Sequence, residues 1–230
     1  RIKPNQPETR QWLCGLYMER GQYEKAQAVL KPLLQNTAAP AAENYVMQGN
    51  IYQRQGQHAQ ALAEYEKAFR LKSQNPLICY NIGLSHYYLQ NYAAAADYFR
   101  KTLAFNPNIA EAYNMLGQLT VLKKDDTAAL ELFQKAVAIN PKLKDAQFNL
   151  GTLYLRLGDL DSAAKAYQDT LAADPNHTLA HYNLGAIYME KGNNEKALFH
   201  FQQALKNPSS LIDVKAAEKF IIDLKTKTPG

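Results

Sequence analysis

His177 and His181 lie four residues apart, a spacing that on a helix brings two imidazoles to one face and could begin a metal site. Two ligands do not complete one, and neither a CxxC nor an HExxH pattern accompanies them. His181 falls where other parts of the chain place core aromatics, so it is read as structural and neither metal nor cofactor is expected. Asn176-His177-Thr178 fits a glycosylation sequon, which matters only in a eukaryotic secretory setting. No serine, threonine or cysteine carries a nucleophile signature, and no glycine-rich phosphate loop is present, so no catalytic residues are assigned. Cys14 and Cys79 sit in separate segments, too far apart in register for a disulfide, and read as small buried apolar residues.

The elements that carry these groups repeat. A glycine recurs at Gly49, Gly83, Gly117, Gly151 and Gly185, always 34 residues on. Around it, Leu150-Gly151, Tyr154, Gly158, Ala163, Tyr167 and Pro175 mark the clearest unit, Lys144 to His177. This register resembles the tetratricopeptide repeat family, and the resemblance covers nearly the whole chain. It implies an all-α, right-handed superhelical solenoid of antiparallel helix pairs whose concave groove holds another chain.

Six repeats are placed at 7–41, 42–75, 76–109, 110–143, 144–177 and 178–209, forming one domain. A leader spans 1–6, a capping helix 210–225 and a frayed tail 226–230. Ser210 with Asp213 reads as the box that starts the capping helix. Repeat one departs most, with Cys14 in place of the glycine and a linker, QNTAAP, one residue longer. Within each repeat the two helices join at Gly-Asp, Gly-Gln, Gly-Asn or a polar equivalent such as Lys124-Asp125. Glycine inside a helix costs about 1 kcal/mol against alanine, so close packing must compensate. Ala95 and Ala163 are the expected counterparts of Gly83 and Gly151.

With 47% hydrophobic and 20% charged residues, the composition is that of a soluble globular protein. No apolar run reaches the length of a membrane span. The net charge of +5 raises nucleic-acid binding, but the basic residues are scattered. Many follow an acid by four residues, as in Asp97–Lys101, Glu131–Lys135, Glu66–Arg70 and Asp161–Lys165, and read as solvated helix surface. No nucleic-acid partner and no membrane insertion are expected. The chain begins at Arg1, so a preceding segment is expected to have been removed.

Function resides in a second stripe on the first helix of each repeat. Beside the residues that serve the core stand Leu77, Tyr80, Asn81, Leu84, Tyr87 and Tyr88 in repeat three, and Asn114 and Gln118 in repeat four. Repeat five adds Phe148, Asn149 and Arg156, and repeat six Tyr182, Asn183 and Met189. In the family this stripe lines the groove. Asn81, Asn149 and Asn183 share one repeat position, which resembles the asparagine ladder of its peptide-gripping members. The carboxylate clamp of other members needs lysine and arginine here, and Val46, Leu77, Tyr80 and Asn81 stand instead. Packing against the adjacent repeat is the competing use, above all for Tyr88, Leu122 and Leu155.

The reading is a non-enzymatic scaffold that binds a peptide or helical segment of a partner protein over repeats three to six. Two rivals stand beside it. One is the substrate-recruiting part of a larger enzyme such as a glycosyltransferase. The other is a self-associating platform in which Trp12 marks a homo-oligomeric contact. A soluble bacterial protein is expected, cytoplasmic or periplasmic and envelope-associated, with no compartment singled out.

Overall fold

The computed structural model describes residues 6–36 and 41–227. Most of the leader, the end of the QNTAAP linker and residues 228–230 of the tail lie outside the described residues. Every regular element among the described residues is a helix. Two compact units divide the chain at Asn108. The first holds α1 (Pro7–Glu19), α2 (Tyr23–Leu34), α3 (Ala42–Arg54), α4 (His58–Leu71), α5 (Pro76–Tyr88) and α6 (Tyr92–Phe105). The second holds α7 (Ala110–Leu122), α8 (Asp126–Ile139), α9 (Lys144–Arg156), α10 (Leu160–Ala173), α11 (Thr178–Glu190), α12 (Asn194–Lys206) and α13 (Val214–Lys227). Successive helices pack in adjacent pairs, α1 with α2, α3 with α4, and so on to α11 with α12.

The boundaries follow from local chemistry. Pro7 opens α1, where its missing N–H loses no helical bond. The Asn75 carboxamide accepts from the Leu77 and Ile78 amides at 2.9 and 3.2 Å and caps α5. Asp125, Asp159 and Asn193 do the same for α8, α10 and α12. Between pairs, Asn106, Asn140 and Asp174 each accept from the amide two residues on, turning the chain around Pro107, Pro141 and Pro175.

The helix glycines have a definite counterpart, and it is not the alanine expected. A methyl group added to Gly117 would stand 2.5 Å from the Phe133 ring. The same clash recurs between Gly49 and Tyr65, Gly83 and Phe99, Gly151 and Tyr167, and Gly185 and Phe201, always sixteen residues on. These five rings are the largest wholly buried side chains of their pairs, each at most 2% exposed. Ala95 and Ala163 are buried as well, but it is the ring that occupies the space a side chain would need. Core clusters reach from one repeat into the next, as Cys14, Ala26 and Leu30 with Ile51, or Ala163 and Tyr167 with Leu184 and Ile187, and the last joins Phe201 to Ala217 and Leu224 of α13. Cys14 and Cys79 are free and buried, and burial pushes the Cys14 thiol up to about 11.

Two expectations need correction. The ion pairs that form are mostly not the expected i,i+4 pairs. Asp97 meets Arg100 rather than Lys101, whose ammonium lies over the Tyr98 ring. Asp161 meets Lys191, and Asp126 meets Arg156, each tying a second helix to the first helix of the next repeat. A long side chain reaches a neighbouring helix as readily as its own next turn, because the helices are so closely set. The final helix starts at Val214, with the Asp213 carboxylate accepting from the Ala216 amide at 2.9 Å. Ser210 is therefore not its cap. Asp213 takes that place because a carboxylate at the cap both bonds the amide and opposes the helix dipole. The helix runs on to Lys227, past the Thr226 where fraying was expected.

The turn inside each pair requires a left-handed residue. Gly21, Gly56, Gly158 and Gly192 supply it with φ from +68° to +81°, while Gln90 and Lys124 adopt +61° in its place. A side chain there costs about 1–2 kcal/mol, partly offset by its stiffer unfolded chain. Lys124→Gly is expected to raise Tm by a few degrees in thermal unfolding, at about 2–4 °C per kcal/mol for a chain of this size. Gly117→Ala is expected to lower Tm by several degrees despite alanine's better helix propensity, since overpacking costs about 1–3 kcal/mol. Gly15→Ala is its control: nothing lies within 4 Å of the added methyl, so Tm should hold or rise.

Candidate protein-binding face

In the first unit the face is α5. Leu77 is 62% exposed and Tyr88 54%, while Tyr80, Asn81, Leu84 and Tyr87 are half-buried. Their positions follow from the helix period: Ile78, Ile82 and Ser85 turn to the core with Cys79 and Gly83, and Leu77, Asn81 and Leu84, each one residue before, border that stripe on the outer side. Tyr80 leans on the Phe99 ring, 5.6 Å between centroids. Tyr87 lies edge-on to Tyr88 at 5.7 Å and tilted on Tyr92 at 5.8 Å. Burial, with Tyr92 and Tyr88 adding to it, raises the Tyr87 phenol. Tyr88 also stacks on His58 of α4, 4.5 Å away. Packing against the previous repeat is thus part of its role, but more than half of it stays open. Tyr92, 42% exposed, joins this cluster and was not foreseen. Its only signal in the sequence is an aromatic directly after the Gln90-Asn91 turn.

In the second unit the face is built by α7, α9 and α11. Phe148 lies on Tyr167 at 5.5 Å and on His177 at 4.8 Å. Tyr182 meets Phe201 at 5.7 Å and, with Met189, packs beside the cluster that α13 closes. The ring five residues into the first helix thus leans on the buried ring of its own pair three times: Tyr80, Phe148 and Tyr182. The amides are engaged within the protein. Asn149 donates to the Asn114 side-chain oxygen at 2.8 Å, and Asn114 is only 5% exposed. The Tyr167 hydroxyl donates to Thr152 at 3.1 Å, and burial raises its phenol while Thr152 and the nearby Asn183 act the other way. A carboxamide has two N–H groups and two lone pairs, so one bond leaves each amide of the face with capacity. Gln118 is half-buried, Arg156 is exposed and held by Asp126, Leu122 is 57% exposed, and Leu155 packs on the Ala163–Tyr167 cluster.

The two histidines of the candidate metal pair are spoken for. His177 caps α11, its Nδ1 accepting from the Ala180 amide at 3.2 Å. His181, 6% exposed, directs Nε2 at the Pro175 carbonyl, 3.0 Å away, and Nδ1 at His200 Nδ1, 2.9 Å away. A carbonyl only accepts, so His181 carries its proton on Nε2 and takes a second bond from His200 Nδ1–H. Among the described residues no group of three His, Cys, Asp or Glu is placed to hold a metal ion. No helix among them is long and apolar enough to cross a membrane.

The fold and its repeating glycine–ring contact define a helical-repeat protein. A family model described as Tetratricopeptide repeat matches residues 80–143 and 148–211, and two related models match 49–90 and 123–169. The chain belongs to the tetratricopeptide repeat family. It is 32% identical over 93 residues to the photosystem I assembly protein Ycf3 of Synechococcus elongatus, a match covering 39% of this chain and 53% of that protein. It is 28% identical over 152 residues to the BBSome complex member BBS4 of Bos taurus, covering 51% of this chain and 29% of the relative. The chain thus spans at most about half the length of these relatives. Among solved structures, YrrB, described as a TPR protein with an unusual peptide-binding site, is 29% identical. That match has a TM-score of 0.59 and covers 82% of this chain and 96% of YrrB.

The His181–His200 pair makes stability depend on pH. Burial, then His181 and Lys196, holds His200 down to about 4, and burial also lowers His181. Unfolded imidazoles titrate near about 6.5, so below that the unfolded chain binds more protons than the folded one. Stability present above that value is lost as pH falls toward 4. Tm measured from pH 7 to 4.5 is expected to drop, and less steeply in His200→Gln, whose amide still donates to His181.

Proposed function

We propose that this chain is a non-catalytic scaffold whose first-helix faces bind an extended or helical segment of a partner protein. What carries the reading is the α5 face. Leu77 and Tyr88 remain more than half open, beside the partly buried Tyr80 and Tyr87, after the repeat core has taken what it needs. Contiguous apolar surface with aromatic anchors is the common mark of a protein interaction site. The amides of Asn81, Asn149 and Asn183 offer hydrogen bonds to a guest backbone without reading its side chains. In the second unit Phe148, Gln118, Tyr182 and Met189 furnish the corresponding contacts. Support also comes from the company the chain keeps: an assembly protein, a complex member and a TPR protein with a peptide-binding site.

Trp12, 62% exposed on α1, favours a second reading in which one copy meets another. Light scattering across a concentration series separates the two, since a receptor for a different protein stays monomeric.

The test places a photo-crosslinking phenylalanine analogue at Leu77 and at Gln118, with exposed Lys135 on α8 as the reference position, in lysate of the source cell. Adducts with a segment of a partner protein are expected from each face position and not from Lys135; adducts only from Lys135, or from none of the three, sink the reading. Against the segment so identified, Leu77→Ala with Tyr87→Ala is expected to weaken binding at least about thirtyfold, the loss of about 2 kcal/mol that interface anchors carry. Circular dichroism verifies that the variant keeps its helices.

A further inference from the structure

Repeat two breaks the repeat's own rule at a core position. Its seventh residue is Gln48, where the other repeats hold Leu13, Ile82, Leu116, Leu150 and Leu184. Gln48 is only 7% exposed, yet its carboxamide makes no hydrogen bond with any described residue. It lines a cleft of about 460 Å³ in the first unit, between α2, α3 and α4. That volume lies within the range of small-ligand sites. Tyr45 and Tyr52, one turn before and one turn after Gln48 on α3, line the same cleft.

The chain supplies its own comparison. In the second unit the corresponding place is closed by a side-chain bond from the preceding repeat. Gln134 donates to the Tyr154 hydroxyl at 3.1 Å, and Gln168 to Tyr188 at 2.7 Å. Tyr52 is the equivalent of those tyrosines, and the residue equivalent to Gln134 and Gln168 is Lys31. Lys31 is exposed on the cleft wall and forms no ion pair or hydrogen bond with a described residue. The other cation of the cleft, Lys67, is neutralised by Glu64 at 2.6 Å and lies over the Tyr45 ring. At this joint an amide stands at the leucine position, and an unpaired cation stands where two later joints carry a closing glutamine. Both line one polar cleft, which with Lys67 paired to Glu64 carries a net positive charge.

We propose that this cleft binds a carboxylate with a flat apolar body: the carboxylate on Lys31 and the Gln48 N–H, the body against the rings of Tyr45 and Tyr52. The Gln48 carboxamide opens on the cleft without a protein partner, so a ligand carboxylate can take its N–H in a charge-assisted bond. The same chemistry is offered by a free aromatic acid and by the C-terminal residue of a peptide. The site is separate from the α5 face and does not depend on that reading.

The test is a titration of the isotopically labelled full chain by amide NMR, with 3-phenylpropionate and with the peptide acetyl-Gly-Gly-Phe, carboxyl-free or amidated. Saturable shifts of the Gln48 side-chain amide are expected with the acid, the free peptide, or both, and the pair that binds names the source. Lys31→Gln should weaken binding by about tenfold, the scale of one charge-assisted hydrogen bond. Gln48→Leu, which installs the residue of most sister repeats and should fold, is expected to abolish it. The Leu77→Ala/Tyr87→Ala variant should titrate as the wild type does. No saturable shift in the millimolar range, equal binding of the amidated peptide, or an unchanged titration in Gln48→Leu would each overturn the proposal and leave the cleft to water.

Discussion

The structure depends on a void that is filled from across the pair. One helix gives up its side chain at Gly49, Gly83, Gly117, Gly151 or Gly185, and the other lays an aromatic ring into the gap. The arrangement is stringent in both directions. A methyl on the first helix would overlap the ring, and a smaller side chain on the second would leave a cavity of the kind that costs several kcal/mol per deleted ring, about 3–5 by comparison with other cores. The glycine's helix penalty of about 1 kcal/mol is small beside that. Two of the rings are tyrosines, and each brings a hydroxyl into the core that must then be satisfied: Tyr65 donates to Asn50 at 2.7 Å, Tyr167 to Thr152. The pairing thus fixes polar residues on the first helix as well as apolar ones.

Much of this was legible because the period is long and strict. A spacing of 34 residues leaves little room for another architecture, and proline and glycine punctuation located the turns. What could not be read was which side chain answers the glycine. Ala163 and Tyr167 both recur in register, and sequence offers no means of telling which of two neighbours on one helix face points into the gap. The ion pairs failed for a related reason: spacing along one helix says nothing of an adjacent helix that is equally near. Asp161 had Lys165 within one turn and found Lys191 instead.

The outline of the candidate face was legible, its detail less so. The helix period alone assigns Leu77, Tyr80 and Tyr87 to the side away from Ile78 and Ile82. Whether an amide on that side is available depends on its neighbours in the preceding repeat. Asn114 was placed among the contacts, and it is nearly closed off, holding Asn149 instead. Arg156 read as a charge on the wall, and Asp126 neutralises it. The proposed face is therefore less charged and more pre-ordered than its residues suggest, a character that would suit an uncharged, largely apolar guest. Fixed side chains lose less entropy when a partner arrives.

A repeat also offers an internal standard that a single-copy fold lacks. Because six versions of one unit share a chain, a departure from the register is measurable without any outside reference. Gly15 in place of a core glycine's neighbour, and Gln90 or Lys124 in a left-handed turn, are departures whose cost falls on the local backbone. Gln48 is of another kind: it stands at a core register position, yet its amide opens on a cleft instead of sealing the joint. Selection for stability alone would restore the leucine found in most sister units. The amide and the unpaired Lys31 line one cleft, so the two departures fall on the same surface. Where a repeat spends stability against its own template, the place to look for recognition is the surface that the departure opens.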